Sequence, residues 1–328
     1  MLRRSWEGGP EIVLKKNTAA TLNGLVMKDI ARGDLVESVD LLQKTSPLGE
    51  SAMCELLGIS CGAMVRPVRY FKSFRLRGQE LPEGQGNPDG WGIALYPDGK
   101  AVQVFKEAVP AVSSKLSEFL ATYEQLCSKI FLAHLRKASG AVVAYSNTHP
   151  FSREVAGREY AFAHNGTIHN IRRFSTGRHK PVGNTDSEHL FCHILDFIEE
   201  RNICGWTEED LFEFRNSLIS INRSTGKDQT KPNKLNMLLS DGETLIGYTD
   251  FYGMGTLYQL MLRVHINVLS GGNSPPCFLL DDNDERFMGV VATRPVNHDK
   301  RWVSMEPGEL CALRDGVLVF TTRKAASS

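Results

Sequence analysis

The sequence lacks any run of about 18 apolar residues, which excludes a membrane-spanning helix on the usual length criterion. Its first twenty residues, MLRRSWEGGPEIVLKKNTAA, include acidic side chains and lack the apolar core of a secretory signal, so the expected address is cytoplasmic. An excess of charge is missing too. With 38 basic side chains against 38 acidic ones, no global field draws the chain to nucleic acid or an anionic membrane, and neither partner is expected. No C-x-x-C occurs among the cysteines at 54, 61, 127, 192, 204, 277 and 311, which argues against a disulfide framework and a structural zinc; mostly buried, reduced thiols are expected. His189 and His193 have i, i+4 spacing, but the Leu-Phe-Cys between them lacks the glutamate of H-E-x-x-H. Neither a metal nor another cofactor is expected.

What is present is apolar material, 41% of 328 residues, enough for one large domain or two ordinary ones. Residues 1–53 mix charge, glycine and small polar groups and read as a poorly structured N-terminal extension; no repeat or linker divides the domain at 54–328. CELLGIS reads as a buried strand, and RPVRYFKSFRLRG (66–78) as an amphipathic helix with a solvated basic face. The Gly- and Pro-rich loop GQELPEGQGNPDGWG follows, then a hairpin around Pro97-Asp98-Gly99. Ser113 or Ser114 caps a helix with Leu116, Phe119, Leu120, Tyr123 and Leu126 on one face. KIFLAHLR and YAFAHNG read as strands, the second ending in a turn at Asn165-Gly166. A helix from near Asp186 aligns Leu190, Phe191, Ile194, Leu195 and Ile198, and another begins at Thr207. KLNMLLSDGETLIGYT and ELCALRDGVLVFTT read as hairpins turning on Asp-Gly, whereas 251–285 has no clear pattern beyond an exposed SGGNSPP loop. Strands early and late with helices between suggest one α+β domain of layered sheets.

Four polar interruptions at strand ends or helix starts offer groups to a common cleft: CELLG, AHLRKAS, AHNGTIHN and GNTDSEH. Cys54 is the best nucleophile among them, but a thiol of ordinary pKa, about 8.5, needs a base or a positive charge nearby. A chain beginning at Cys54 would supply that base as its own α-amine, of reference pKa about 7.7–8.0. Asn165-Gly166 suits an oxyanion hole, Arg136 a bidentate carboxylate clamp, and Asp186 an ammonium. Taken singly, these residues have plainer readings: core thiol, hairpin turn, surface ion pair and helix cap.

Together MCELLGIS, DGWGIALY, AHLRKAS, NTHPF, YAFAHNGTI, GNTDSEH, NMLLSDG and TRPVN...W..M.PGEL resemble the class II glutamine amidotransferases of the N-terminal-nucleophile hydrolase superfamily, closest to the small stand-alone bacterial type without a synthase domain. The resemblance runs from Met53 to about Phe320 and fades over 251–285. It implies a four-layer αββα sandwich with Cys54 as N-terminal nucleophile, Arg136 on the substrate α-carboxylate, Asn165 and Gly166 as oxyanion hole, and Asp186 on the α-ammonium. His149 and Trp91 fit the pattern as substrate-site residues, more by bracing than by chemistry. The implied substrate is L-glutamine or another γ-glutamyl compound, with ammonia released or passed to a separate synthase. One departure stands out: Cys54 is preceded by 53 residues, so either translation starts at Met53 or the extension is removed. Two other readings remain open. One is a Cys-His thiol hydrolase using His134, His149 or His164; the other is a non-catalytic, glutamine-binding regulatory subunit.

Overall fold

The computed structural model describes residues 53–79, 86–123, 125–174, 176–224, 231–268 and 278–323, with the side chains of 264–268 and 278–285 left out; the extension before Met53 and the SGGNSPP loop lie outside the described residues. The element order is β1 (Glu55–Val65), α1 (Val68–Leu76), β2 (Trp91–Leu95), β3 (Gln103–Glu107), α2 (Lys115–Leu120), β4 (Ser128–Leu135), β5 (Phe151–Val155), β6 (Arg158–Thr167), α3 (Asp186–Glu200) and α4 (Glu208–Arg223). The rest is strand: β7 (Lys234–Ser240), β8 (Thr244–Tyr248), β9 (Tyr258–Val268), β10 (Phe278–Ala292), β11 (Val303–Ser304), β12 (Leu310–Arg314) and β13 (Val317–Thr321).

Two antiparallel sheets form, a seven-stranded one in the order β11-β9-β10-β1-β4-β2-β3 and a six-stranded one in the order β13-β12-β8-β7-β6-β5. Their strands bury both faces, so β1 carries an almost continuous apolar run instead of a polar alternation. Leu57, Ile59 and Cys61 point outward to Phe71 and Phe74 of α1. Leu56 points inward, where it meets Ala161 and Leu238 of the other sheet. Gly58 also faces inward; a Cβ there would stand 3.0 Å from a methyl of Leu245, so its absence lets the sheets close. On the far side, Phe162 and Leu239 pack beneath Leu190, Phe191, Ile194 and Phe214 of α3 and α4. Three apolar layers separating two sheets and two helical coats make the αββα sandwich.

The Asp-Gly turns sit where expected, with Gly99, Gly242 and the pair Asp315-Gly316 at positive φ. Helix α3 buries all five predicted apolar residues, and α4 begins with a capping box between Thr207 and Asp210. Four expectations are corrected. Helix α2 stops at Leu120, leaving Phe119 and Tyr123 exposed and stacked on one another at 4.9 Å, because the following residues turn into β4 instead of continuing the helix. The basic face of 66–78 is not wholly solvated, since Arg77 is buried in an ion pair with Glu55. Asn165-Gly166 is not a turn: β6 continues through both, paired with Asn236 and Leu235 of β7. Cys127 is not a reduced thiol but half of a disulfide, while Cys54, Cys61, Cys192, Cys204 and Cys311 are free. Among the described residues no helix is long and apolar enough to cross a membrane.

Candidate active site

Cys54 lies at the threshold of β1, partly exposed, with its sulfur against the chain that leaves β4. The Lys137 N–H donates to Sγ at 3.2 Å, and the thiol reaches the Lys137 carbonyl at 3.3 Å. Burial pushes the thiol up to about 11; the Lys137 N–H and the Arg136 charge pull against it, and Asp186 adds to the rise. Three sequence-predicted residues, one just before β1, one just after β4 and one opening α3, therefore share one electrostatic neighbourhood.

Arg136 follows β4 directly and is buried, yet among the described residues no carboxylate hydrogen-bonds to it. Its guanidinium donates to the carbonyls of Ala141 at 3.1 Å and Val142 at 3.2 Å, with a longer contact to Asp89 O at 3.5 Å. Asp89, which sequence reasoning passed over in favour of its neighbour Trp91, locks this corner. Its carboxylate accepts from Ala138 N at 2.8 Å, and its own N–H donates to the Arg136 carbonyl. The Pro-Asp-Gly composition of its loop was the available signal.

In the facing sheet, Asn165 is buried and Gly166 has no room for a side chain, since a Cβ would fall 2.0 Å from the Lys234 carbonyl. Asn236, also unanticipated, donates to the Asn165 carbonyl at 3.4 Å and accepts from Asp250 N at 3.0 Å. Asp186 opens α3, but the cap is Thr185, whose hydroxyl accepts from Glu188 N at 3.1 Å. That leaves the Asp186 carboxylate to accept from Ile168 N at 2.6 Å, two residues past Gly166.

His134, His149 and His164 are buried, and burial holds each of them below the ordinary histidine range, His134 down to about 3. The rings of His134 and His149 lie 4.2 Å apart, and His149 also meets Phe151 at 4.5 Å. His164 is held by Ser187 Oγ at 2.9 Å and the Lys234 carbonyl at 3.2 Å. Trp91 points into the outer core with Leu57 and Leu135, beside a cavity of about 20 Å³ lined by Phe71, Phe74 and Ala111, not into the intersheet layer.

Next to Cys54, buried Glu55 is fixed by two ion pairs. Arg77 meets one oxygen at 3.1 Å and Arg294 the other, while Thr293 Oγ1 donates at 3.1 Å. These partners come from two distant segments and anchor the start of β1.

Residues 53–328 match the family model of the class II glutamine amidotransferases. The uncharacterized protein MJ1515 of Methanocaldococcus jannaschii is 35% identical over 83% of this chain and 72% of its own length. YafJ of Escherichia coli K12 is 32% identical over 78% of this chain and 96% of its own. The crystal structure of a predicted glutamine amidotransferase from Pseudomonas aeruginosa PA01 superposes with a TM-score of 0.56 at 27% identity, covering 81% of this chain and all of that one. Layered sheets and sequence match agree, and the chain belongs to the class II glutamine amidotransferases.

Proposed function

We propose that this chain hydrolyses the side-chain amide of L-glutamine, or of a related γ-glutamyl compound, through a Cys54 thioester. The observation that carries the reading is the convergence of Cys54, Arg136 and Asp186: one free thiol near an anion and a buried cation that, among the described residues, hydrogen-bonds to no carboxylate. The substrate α-carboxylate replaces the Ala141 and Val142 carbonyls on Arg136, and its ammonium pairs with Asp186. Sulfur attacks the δ-carbon, Asn165 and the Gly166 N–H stabilise the oxyanion, and the thiol proton reaches the amide nitrogen, which leaves as ammonia. Water then cleaves the thioester to the γ-carboxylate and returns the thiol. His149 and Trp91 act by bracing their segments.

The proton carrier in this reading is the α-amine of Cys54, so the active form has nothing attached to that nitrogen. A histidine base is the weaker reading. Among the described residues no histidine nitrogen hydrogen-bonds to Cys54, and His164 is already committed to Ser187 and Lys234. A peptide-linked Met53 would lie beside the nucleophile, its sulfur against the Lys234 ammonium.

The test is ammonia release from a panel of γ-glutamyl compounds by protein beginning at Cys54, beside Cys54→Ala and protein retaining Met53. Release by the first alone is expected. Equal activity in the Met53 form would overturn the amine base. Glutamine binding without release would favour a regulatory subunit, and turnover only on addition of a second protein would identify a synthase partner.

A further inference from the structure

Away from the nucleophile, the loop that leads into α3 folds back on the helix's outer face. Asp196 and Glu199 are spaced i, i+3 and so share that face. His179 arrives from the loop, mostly buried, and its Nε2 is shut off from solvent with no hydrogen-bond partner among the described residues. That nitrogen stands 3.5 Å from Glu199 Oε2, and one ligand atom from each of His179, Asp196 and Glu199 lies within 4.8 Å of the others. The contact with Glu199 is at ion-pair distance but is not a hydrogen bond, and a buried imidazole nitrogen is expected to have one.

From this arrangement the geometry points to a divalent transition-metal site, filled best by zinc, that ties the loop to α3. Zinc–ligand distances of about 2.0–2.2 Å set two tetrahedral ligand atoms about 3.4 Å apart, close to the separation of His179 Nε2 and Glu199 Oε2. The remaining contacts orient the ligands as outer partners do in metal sites. Arg178 holds the other oxygen of Glu199 at 2.5 Å. Gly177 N donates to Asp196 Oδ2, and His179 N reaches Oδ1 at 3.4 Å. Lys180 turns away to the Thr176 carbonyl at 2.5 Å. Two carboxylates against one guanidinium leave a net negative charge for a cation, and the imidazole selects zinc over magnesium. Gly177 lies close on the helix, a Cβ there standing 3.2 Å from Asp196 Oδ1, so the metal adds its bonds to a contact already formed. The loop continues through Gly183 and Asn184 to Thr185 and Asp186, and bound metal therefore stiffens the approach to the active site without entering it.

The test uses the full chain carrying Cys54→Ser, so that the active-site thiol cannot take up metal. After EDTA and gel filtration, protein is loaded with Zn²⁺ or Mg²⁺; one portion is desalted for elemental analysis and another is unfolded thermally with the metal still present. One retained zinc per chain is expected, no retained magnesium, and a rise in midpoint of about 5–10 °C at a hundredfold excess over Kd. His179→Ala and Glu199→Gln should each lose both the zinc and the rise. Zinc retention that is absent in the parent, or unchanged in either variant, overturns the site. Should His179→Ala fail to fold, Glu199→Gln decides alone. Because no turnover is measured, the outcome is independent of the proposed activity.

Discussion

Two buried arginines flank Cys54 and are solvated by the protein in opposite ways. Arg77 reaches Glu55, the residue after Cys54, and Arg294 completes the pair from the far end of the chain. Arg136 sits on the other side and, among the described residues, hydrogen-bonds only to carbonyl oxygens, with the Asp89 charge near it. A guanidinium keeps its charge even when burial disfavours it. Arg77 is therefore neutralised within the fold, whereas Arg136 holds a charge that carbonyl dipoles only partly offset. The first cluster builds the threshold of β1; the second is suited to recognise something.

The sharpest break in that comparison is Cys54→Ala, which should reduce ammonia release to background and leave the melting curve near that of the parent. Activity unchanged in this variant would remove the nucleophile and, with it, any meaning for Arg136. Next, Glu55→Gln strands Arg77 and Arg294 without their anion and should cost about 3–5 kcal/mol in denaturant unfolding. Asn165→Ala should lower kcat about a hundredfold or more with a smaller effect on KM, since its amide matters most when the oxyanion forms. Arg136→Met should cost only about 1–2 kcal/mol of stability but raise KM about 10- to 150-fold, the worth of a charge-assisted bond. If it unfolds the protein as badly as Glu55→Gln, or leaves KM unmoved, the two arginines do not differ in kind. The smallest effect is a slope: with Met53 attached, the thiol stands at about 11, so Cys54 alkylation should climb about tenfold per pH unit from pH 7 to 9. The sign follows because only the thiolate reacts and pH stays below the pKa throughout. A plateau near pH 8, seen by mass spectrometry, would mean that another group already activates the sulfur.

Much of the fold was legible. The 3.6-residue spacing of Leu190 to Ile198 marked α3, and the Asp-Gly pairs marked turns at Gly99, Gly242 and Gly316, because a positive φ is a local demand that glycine meets at little cost. The same local logic failed at Asn165-Gly166. There the glycine serves an interstrand contact, the Lys234 carbonyl, and not a turn. It also failed at α2, whose apolar spacing continues past the point where the chain turns into β4. Of the candidate site, Cys54, Arg136 and Asp186 could be named from polar residues breaking into strand and helix patterns. Asp89 and Asn236 could not, since each acts by hydrogen bonds to segments distant in sequence.

By itself the sequence determined most of the strands and helices, though not β9 and β10, along with which faces are apolar and which side chains have suitable chemistry, for these depend on neighbours a few residues apart. Only the tertiary structure decided that Glu55 finds Arg294 across 239 positions, that Arg136 donates to the carbonyls of Ala141 and Val142, and that His179 is turned against α3. Charge and hydrogen-bonding capacity are written residue by residue. Which of them end up paired is set by how the two sheets and their helices pack.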